Sequence, residues 1–559
     1  MSNTGDKVTR RYGGFCGVDF RGDEVNLARS PDCLNVWRDY KDTDCIKTRP
    51  GLRLLTLYDD PIYGIFFHDD VMIVHCADSL YEGADKGEQG TLIYAGCNGR
   101  PSAFFSFGET WYFLDGLQYL RNGVEAVETE AYVPTTTIGR KPAGGGEAFQ
   151  DINYLTGERI NTFLADGESK DFYLDAEDID SDYKPIVKVN DAAVTNFSVD
   201  YAKGKITFTT APAAPKTDGQ DNVSIRFCKV VDGYADVIRK CTICQVFDGR
   251  VFFSGNPDYP STVYHCALEN PAYFSDQDYY TEGLDRARIR SLVAGNNALW
   301  VFRERSDENT TIFYHNPVND EDYGKIYPSV HSSISTGCKG RAINFNDDIV
   351  FFSDRGMEGI SGDITTEQVV AHRSTLVDSR LLSEDGYEDM VFAEWEGYLL
   401  VFIGNKVYLA DSRGLFQNGN HYEYEWFYWE LEKNVHCATV HGGKLYLGTD
   451  DGVYVLDDYE CDVESYWTTP KDKFGAPNKQ KTTNKRGCIA EAEGDVSVYV
   501  RTDNGGFEHI SDHGGITDSF VCRIKKKKWK DIQLKFHSMT RFRLDTVTLE
   551  SFIGGYIKR

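Results

Sequence analysis

Four stretches carry residue types that do chemistry. Cys241-x-x-Cys244 is the only close cysteine pair. A structural zinc site wants four ligands, so a second pair or nearby histidines should accompany it. None does, and in a strand positions i and i+3 face opposite sides; the pair reads as two packed thiols. Asp175-Ala-Glu-Asp-Ile-Asp-Ser-Asp182 offers the oxygen ligands calcium takes but lacks the glycine-centred loop of an EF-hand, so it reads as a solvated loop. Lys525-Lys-Lys-Lys-Trp-Lys530 is the one basic cluster. Strand alternation predicts Lys526, Lys528 and Lys530 on one face, suited to DNA phosphates or to an acidic neighbouring subunit. The competing reading is a solvated edge strand protected by lysine. The aromatic stretch from His421 to Trp429 is expected to pack within a sheet, because aromatics dominate buried area. No Gly-rich phosphate loop, His-Glu-x-x-His or Gly-x-Ser-x-Gly occurs, and no catalytic carboxylate pair stands out among 87 acids.

The elements that would position these residues are strands. One pattern recurs: four or five strand-type residues, a tight polar turn, and a second strand. It appears at 63–74, 103–114, 242–254, 291–302, 342–353, 391–402 and 437–448. The turns are hairpin chemistry: Asp-Asp, Asp-Gly, Asn-Asn and Gly-Gly. Turn positions 69, 109, 249, 296, 347, 397 and 443 are separated by 40, 140, 47, 51, 50 and 46 residues. A period near 40–50 residues with four strands each is the mark of a β-propeller blade. The expectation is an all-β chain: a propeller of about seven blades with an inserted β-sandwich domain and a C-terminal β module.

The 140-residue gap holds the insertion, placed at 146–232 after the Gly144-Gly-Gly146 linker signal. Its short alternating strands suggest a small sandwich. Propeller blades then occupy 61–145 and 233–460, and 461–559 is a separate terminal module. Residues 1–60 are expected to form an arm or to close the ring.

Composition narrows the class. The chain has 559 residues with 13% aromatics, 60 basic and 87 acidic residues, and a net charge of −27. That balance argues against a broad basic face gripping nucleic acid. No apolar run approaches the ~18 residues of a membrane span. The N-terminus lacks the apolar core of a secretory signal, and the 14 cysteines are scattered, so free thiols in a reducing compartment are expected.

Three segments carry a resemblance. Ser30-Pro-Asp-Cys-Leu-Asn-Val-Trp37, followed by Lys47-Thr-Arg-Pro-Gly-Leu52, resembles the opening of bacteriophage neck and tail proteins built on propellers. Val187-Lys-Val-Asn190 with Gly204-Lys-Ile-Thr-Phe-Thr-Thr-Ala-Pro-Ala213 is similar to a β-sandwich module of phage virion proteins. Ile532-Gln-Leu-Lys-Phe536 with Phe542-Arg-Leu-Asp-Thr-Val-Thr-Leu549 is similar to their last module. The resemblance is to head-to-tail stabilisation, or tail nozzle, proteins of short-tailed phages. It implies a non-enzymatic virion component made in the bacterial cytoplasm. Such a protein forms a ring, typically a hexamer, below the portal and adaptor, lines or closes the DNA exit channel, and retains packaged DNA. No cofactor is expected, and no metal-site residues are singled out. The acidic surplus would let DNA pass without sticking. The alternative is a propeller glycosidase or carbohydrate-binding protein. Ser106-Phe-Gly-Glu-Thr-Trp111 has the Gly-x-Thr-Trp tail of a sialidase Asp-box, but the Asp is missing and the motif does not recur.

Overall fold

The computed structural model describes residues 6–42, 45–83, 87–122, 126–307, 310–321, 324–361, 369–515 and 518–556. Strand dominates. Among these residues the α-helices are two single turns, Asp236–Arg239 and Asp378–Leu381. No helix among them is long and apolar enough to cross a membrane.

Seven four-stranded antiparallel sheets follow the repeat, the blade set of a β-propeller. In the second blade, for example, Ala103–Phe107, Thr110–Leu114, Tyr119–Asn122 and Ala126–Glu128 pair in chain order. Turn chemistry is the local cause. Asp69 and Asp70, Asp248 and Gly249, Asn296 and Asn297, Asn346 and Asp347, Glu396 and Gly397, and Gly442 and Gly443 all have positive φ, between 47° and 77°. Two consecutive positive φ values make the type I′ turn, whose twist matches that of the flanking strands. The second strand of a blade is buried along its length, as in Ala298–Arg303 and Tyr398–Ile403, the pattern of strands covered on both faces.

The chain forms two compact units: residues up to Leu92 together with those from Ser332 onward, and Ile93 to His331. In the second unit the inserted module has two sheets. One contains Glu147–Ala148, Thr135–Arg140, Glu158–Phe163, Val223–Cys228, Ile186–Val189 and Ala192–Val194; the other contains Asp171–Tyr173, Lys205–Phe208 and Phe197–Asp200. Phe163, Phe172, Ile206, Phe208, Ile225 and Phe227 fill the space between them. The glycine run expected to be a linker is instead a turn inside this module. Gly144 bridges to Lys141, and Gly144, Gly145 and Gly146 all have positive φ, which only glycine adopts freely in succession.

In the first unit the two ends of the chain are interwoven. Gly51–Leu57 is the fourth strand of the last blade, pairing with Gly452–Asp458. A double sheet lies beyond the blades. Its first layer runs Cys33–Leu34, Ser465–Thr468, Ile532–Ser538, Val496–Thr502 and Glu508–His513. Its second runs Val36–Trp37, Ile46–Thr48, Phe542–Tyr556, Lys479–Gly494 and Asp518–Cys522, with Asp6–Tyr12 added to Phe542–Tyr556.

Candidate functional site

The lysine run does not form the expected stripe. Only Lys527–Trp529 is strand, the outermost on Lys479–Gly494 at this end. Trp529 is the anchor: it is buried, packs edge-on to Phe474 at 5.5 Å, and donates from Nε1 to Thr483 Oγ1 at 3.2 Å. Upstream, Cys522 and Ile524 are the inward residues. Between Ile524 and Trp529 the inward phase slips by one residue, with Lys528 at φ 60°. Lys526 is therefore half-buried against the Glu508 carboxylate, while Lys528 and Lys530 are exposed together, opposite the buried indole. Among the described residues neither Lys528 nor Lys530 has an ion pair.

The other motifs are used internally. Cys241 donates to Val237 O and Cys244 to Phe104 O, so the two thiols point apart, and burial pushes the Cys244 thiol up to about 12. A zinc ligand must ionise, so this pair is poorly set to bind metal. Asp175 accepts from Thr136, Thr137 and Asn161 at 2.6–2.8 Å, which draws it away from the acids that follow. In His421–Glu430 the residues from Glu423 to Trp429 are buried, and Trp429 Nε1 donates to Val36 O at 3.0 Å. Trp111 is buried within its hairpin.

The segments that carry the N-terminal and C-terminal resemblance lie hundreds of residues apart in the chain and meet in one junction. Cys33 and Leu34 pair with Trp467 and Tyr466, and Val36 and Trp37 pair with Thr48 and Lys47. Asn35, at φ 55°, gives its side-chain amide to Glu464 O, while its Oδ1 accepts from Glu430 N at 2.9 Å and Arg49 Nε at 3.0 Å. Trp37 stacks on Trp395 at 5.3 Å and meets Trp429 edge-on at 5.9 Å. At the centre is Arg49, 0% exposed. It also donates to Pro50 O at 2.9 Å, Glu430 O at 2.9 Å and Glu432 Oε1 at 2.8 Å. Five donors in a rigid fork suit several fixed acceptors at once, which lysine does not. The Arg-Pro-Gly corner thus locks the sixth blade to the double sheet. Gly51 completes it, because a Cβ there would lie 2.6 Å from that of Cys461.

Buried charges elsewhere are held in closed sets. His372 Nε2 lies 2.6 Å from Asp378 Oδ2, and its Nδ1 lies 3.5 Å from Glu358. Burial alone would lower this imidazole, but hydrogen bonds to both carboxylates overcome it and push it up to about 10. Ser374 donates to Asp378, not to the histidine, so the trio lacks the nucleophile–base contact of acyl transfer. Glu282 is held by His315 at 2.8 Å and Ser329 at 2.6 Å. Glu425 takes both arms of Arg29 at 2.6 and 2.8 Å.

Charge is distributed unevenly. Residues 461–559 carry 18 Lys and Arg against 13 Asp and Glu, while the rest of the chain carries 42 against 74. The exposed Lys528 and Lys530 thus belong to a net-positive stretch of a strongly negative chain. Sequence reasoning identified these lysines but missed Arg49 and Asn35 as the organising pair. The Arg-Pro-Gly corner was visible as a motif, yet two of its four acceptors, on Glu430 and Glu432, lie more than 380 residues downstream.

No protein-family model matches the chain, and no curated protein matches it. Among solved structures it is similar to BamB from Moraxella catarrhalis, at 10% identity and a TM-score of 0.33, over 76% of this chain and 92% of that one. It is similar to an exo-β-1,3-galactanase from Phanerochaete chrysosporium at 10% identity and 0.22, over 55% and 95%. The extracellular domain of BT4673 from B. thetaiotaomicron gives 11% and 0.27, over 86% and 48%. Likeness at this level carries no inference about what the chain binds or does.

Proposed function

We propose that this chain is a structural, non-enzymatic virion subunit. It assembles as a ring, of hexameric type, in a phage neck or tail beneath the portal and adaptor, where the ring lines or closes the DNA exit channel and retains packaged DNA. The observation that carries the reading is the charge polarity: a positive double sheet with Lys528 and Lys530 exposed, on a chain whose remaining 460 residues hold a surplus of 32 acids. A cyclic ring needs a heterologous contact, one face of each copy meeting a different face of the next, and opposite charge on two faces favours it. The junction around Arg49 supports the same reading, because it ties blade and terminal module into one rigid block. Acidic channel walls would keep DNA from sticking.

Mass photometry tests the reading on the purified chain, alone and mixed with portal and adaptor proteins of the same genome. A closed ring, or recruitment onto the adaptor, is the expected result. A monomer that ignores both and turns over a glycoside would replace the reading with the sugar-active alternative.

A further inference from the structure

A pair of thiols faces across two strands of the double sheet. Asp518–Cys522 runs antiparallel to Lys479–Gly494, and the register sets Cys488 directly opposite Cys522. Directly opposed residues on antiparallel strands have Cα atoms about 4.5–5.5 Å apart, inside the roughly 4.4–6.8 Å that a disulfide spans. Side chains of opposed residues leave the same face of the sheet. Here that face is inward: both cysteines are buried, while the next pair, Ile489 and Val521, is 42% and 40% exposed. The two thiols are close enough for each to perturb the ionisation of the other. The Cys241 and Cys244 thiols, in contrast, turn to separate carbonyls.

We propose that Cys488 and Cys522 form a redox-modification site that closes to a disulfide on meeting a small-molecule disulfide such as oxidised glutathione. The Cys522 thiolate attacks one glutathione sulfur, the glutathione S–S bond breaks, and one glutathione leaves with the proton that Cys522 gave up. Cys488 then loses its proton and attacks Cys522 Sγ. The mixed disulfide breaks, and the second glutathione leaves with that proton. Two protein thiols are oxidised and one glutathione disulfide is reduced to two thiols. Cys522 is the attacking sulfur because it lies on the end strand of the sheet, whereas Cys488 lies on an interior strand. Asp518–Cys522 is the last strand of its sheet, where local opening admits the reagent most readily. The bond ties this edge strand to the sheet interior immediately ahead of the lysine run.

The test treats the reduced, folded full-length chain with millimolar oxidised glutathione, followed by intact mass and non-reducing peptide mapping. The expected result is loss of two hydrogens, a single cross-link joining the peptides of Cys488 and Cys522, and reversal by dithiothreitol. Amide exchange in 518–522 should slow by about tenfold, and C522S should show neither change. If C522S does not fold, the wild-type peptide map decides alone. Three results overturn the proposal. One is that both cysteines stay free while the more accessible Cys16 and Cys461 take up glutathione. The others are that Cys522 stops at the mixed disulfide, or that the cross-link joins other cysteines.

Discussion

Replacing Arg49 with alanine removes the centre of the junction, and the structure sets the size of the loss. The guanidinium donates to Asn35 Oδ1, Pro50 O, Glu430 O and Glu432 Oε1. The Glu432 side chain is 56% exposed, so its carboxylate regains water and that ion pair contributes little. Asn35 Oδ1 keeps the Glu430 amide. The cost therefore falls on the two carbonyls, at about 1–3 kcal/mol for each buried acceptor left without a donor, with a further loss where the side-chain stem leaves a gap. The total is about 3–5 kcal/mol, from two orphaned carbonyls and the gap left by the stem. For a unit of this size that lowers the melting temperature by about 10 °C. Intrinsic fluorescence reads the transition locally, because Trp37, Trp395 and Trp429 form the adjacent stack. Arg49→Lys should lose about half as much, since one ammonium cannot reach acceptors set around a planar fork. Glu432→Gln should cost under about 1 kcal/mol. An Arg49→Ala protein melting within about 2 °C of wild type would refute the reasoning. So would a Glu432→Gln variant as damaged as Arg49→Ala, because the ion pair and not the carbonyl contacts would then carry the junction.

Three further outcomes are expected. The His372 imidazole is raised to about 10, so the stability it lends is full below pH 6.5 and falls as pH rises toward 10. His372→Gln should then cost about 2 kcal/mol at pH 6 and much less at pH 10.5, read by paired thermal melts. Burial raises the Asp278 carboxyl to about 6, so the cost of ionising it in the folded state builds up from about pH 4 to pH 6 and is full above that. Its side chain is 37% exposed, which discounts the effect by solvent screening; Asp278→Asn should gain about 1 kcal/mol at pH 7.5 and nothing at pH 3.5. At Gly204, φ is 53° and a Cβ would sit 1.8 Å from Ala176 O. Gly204→Ala should destabilise the inserted module by about 3 kcal/mol, seen as faster proteolysis within 135–228 while the blades keep their protection.

The propeller was legible because its signal is local. A type I′ turn needs two residues that tolerate positive φ, and Asp, Asn and Gly at those positions announce most of the hairpins; the Glu396-Gly397 and Gly108-Glu109 turns depart from the rule. The same rule misled at Gly144-Gly145-Gly146, since a glycine run looks alike in a linker and in a tight turn. The lysine alternation failed for a tertiary reason. Trp529 is drawn into the pocket beside Phe474, and the backbone yields at Lys528, a residue type with no preference for positive φ. The Arg49 junction and the Cys488–Cys522 pair depend on register between strands distant in the chain, which no local pattern encodes.

The interwoven ends set an order of events during synthesis. The strand Gly51–Leu57 has its partner at Gly452–Asp458, and Asp6–Tyr12 has its partner in Phe542–Tyr556. At about 5–20 residues per second, the first of these strands waits on the order of 20–80 s for its partner to leave the ribosome, and the second waits longer. Through that interval the apolar residues of the N-terminal segment, including Val36, Trp37 and Ile46, have no sheet to join. Premature pairing with a neighbouring nascent chain competes with the correct closure. Dilute expression or slowed initiation should therefore raise the yield of closed molecules, and the last blade acts as a checkpoint passed only by chains that extend through Asp458.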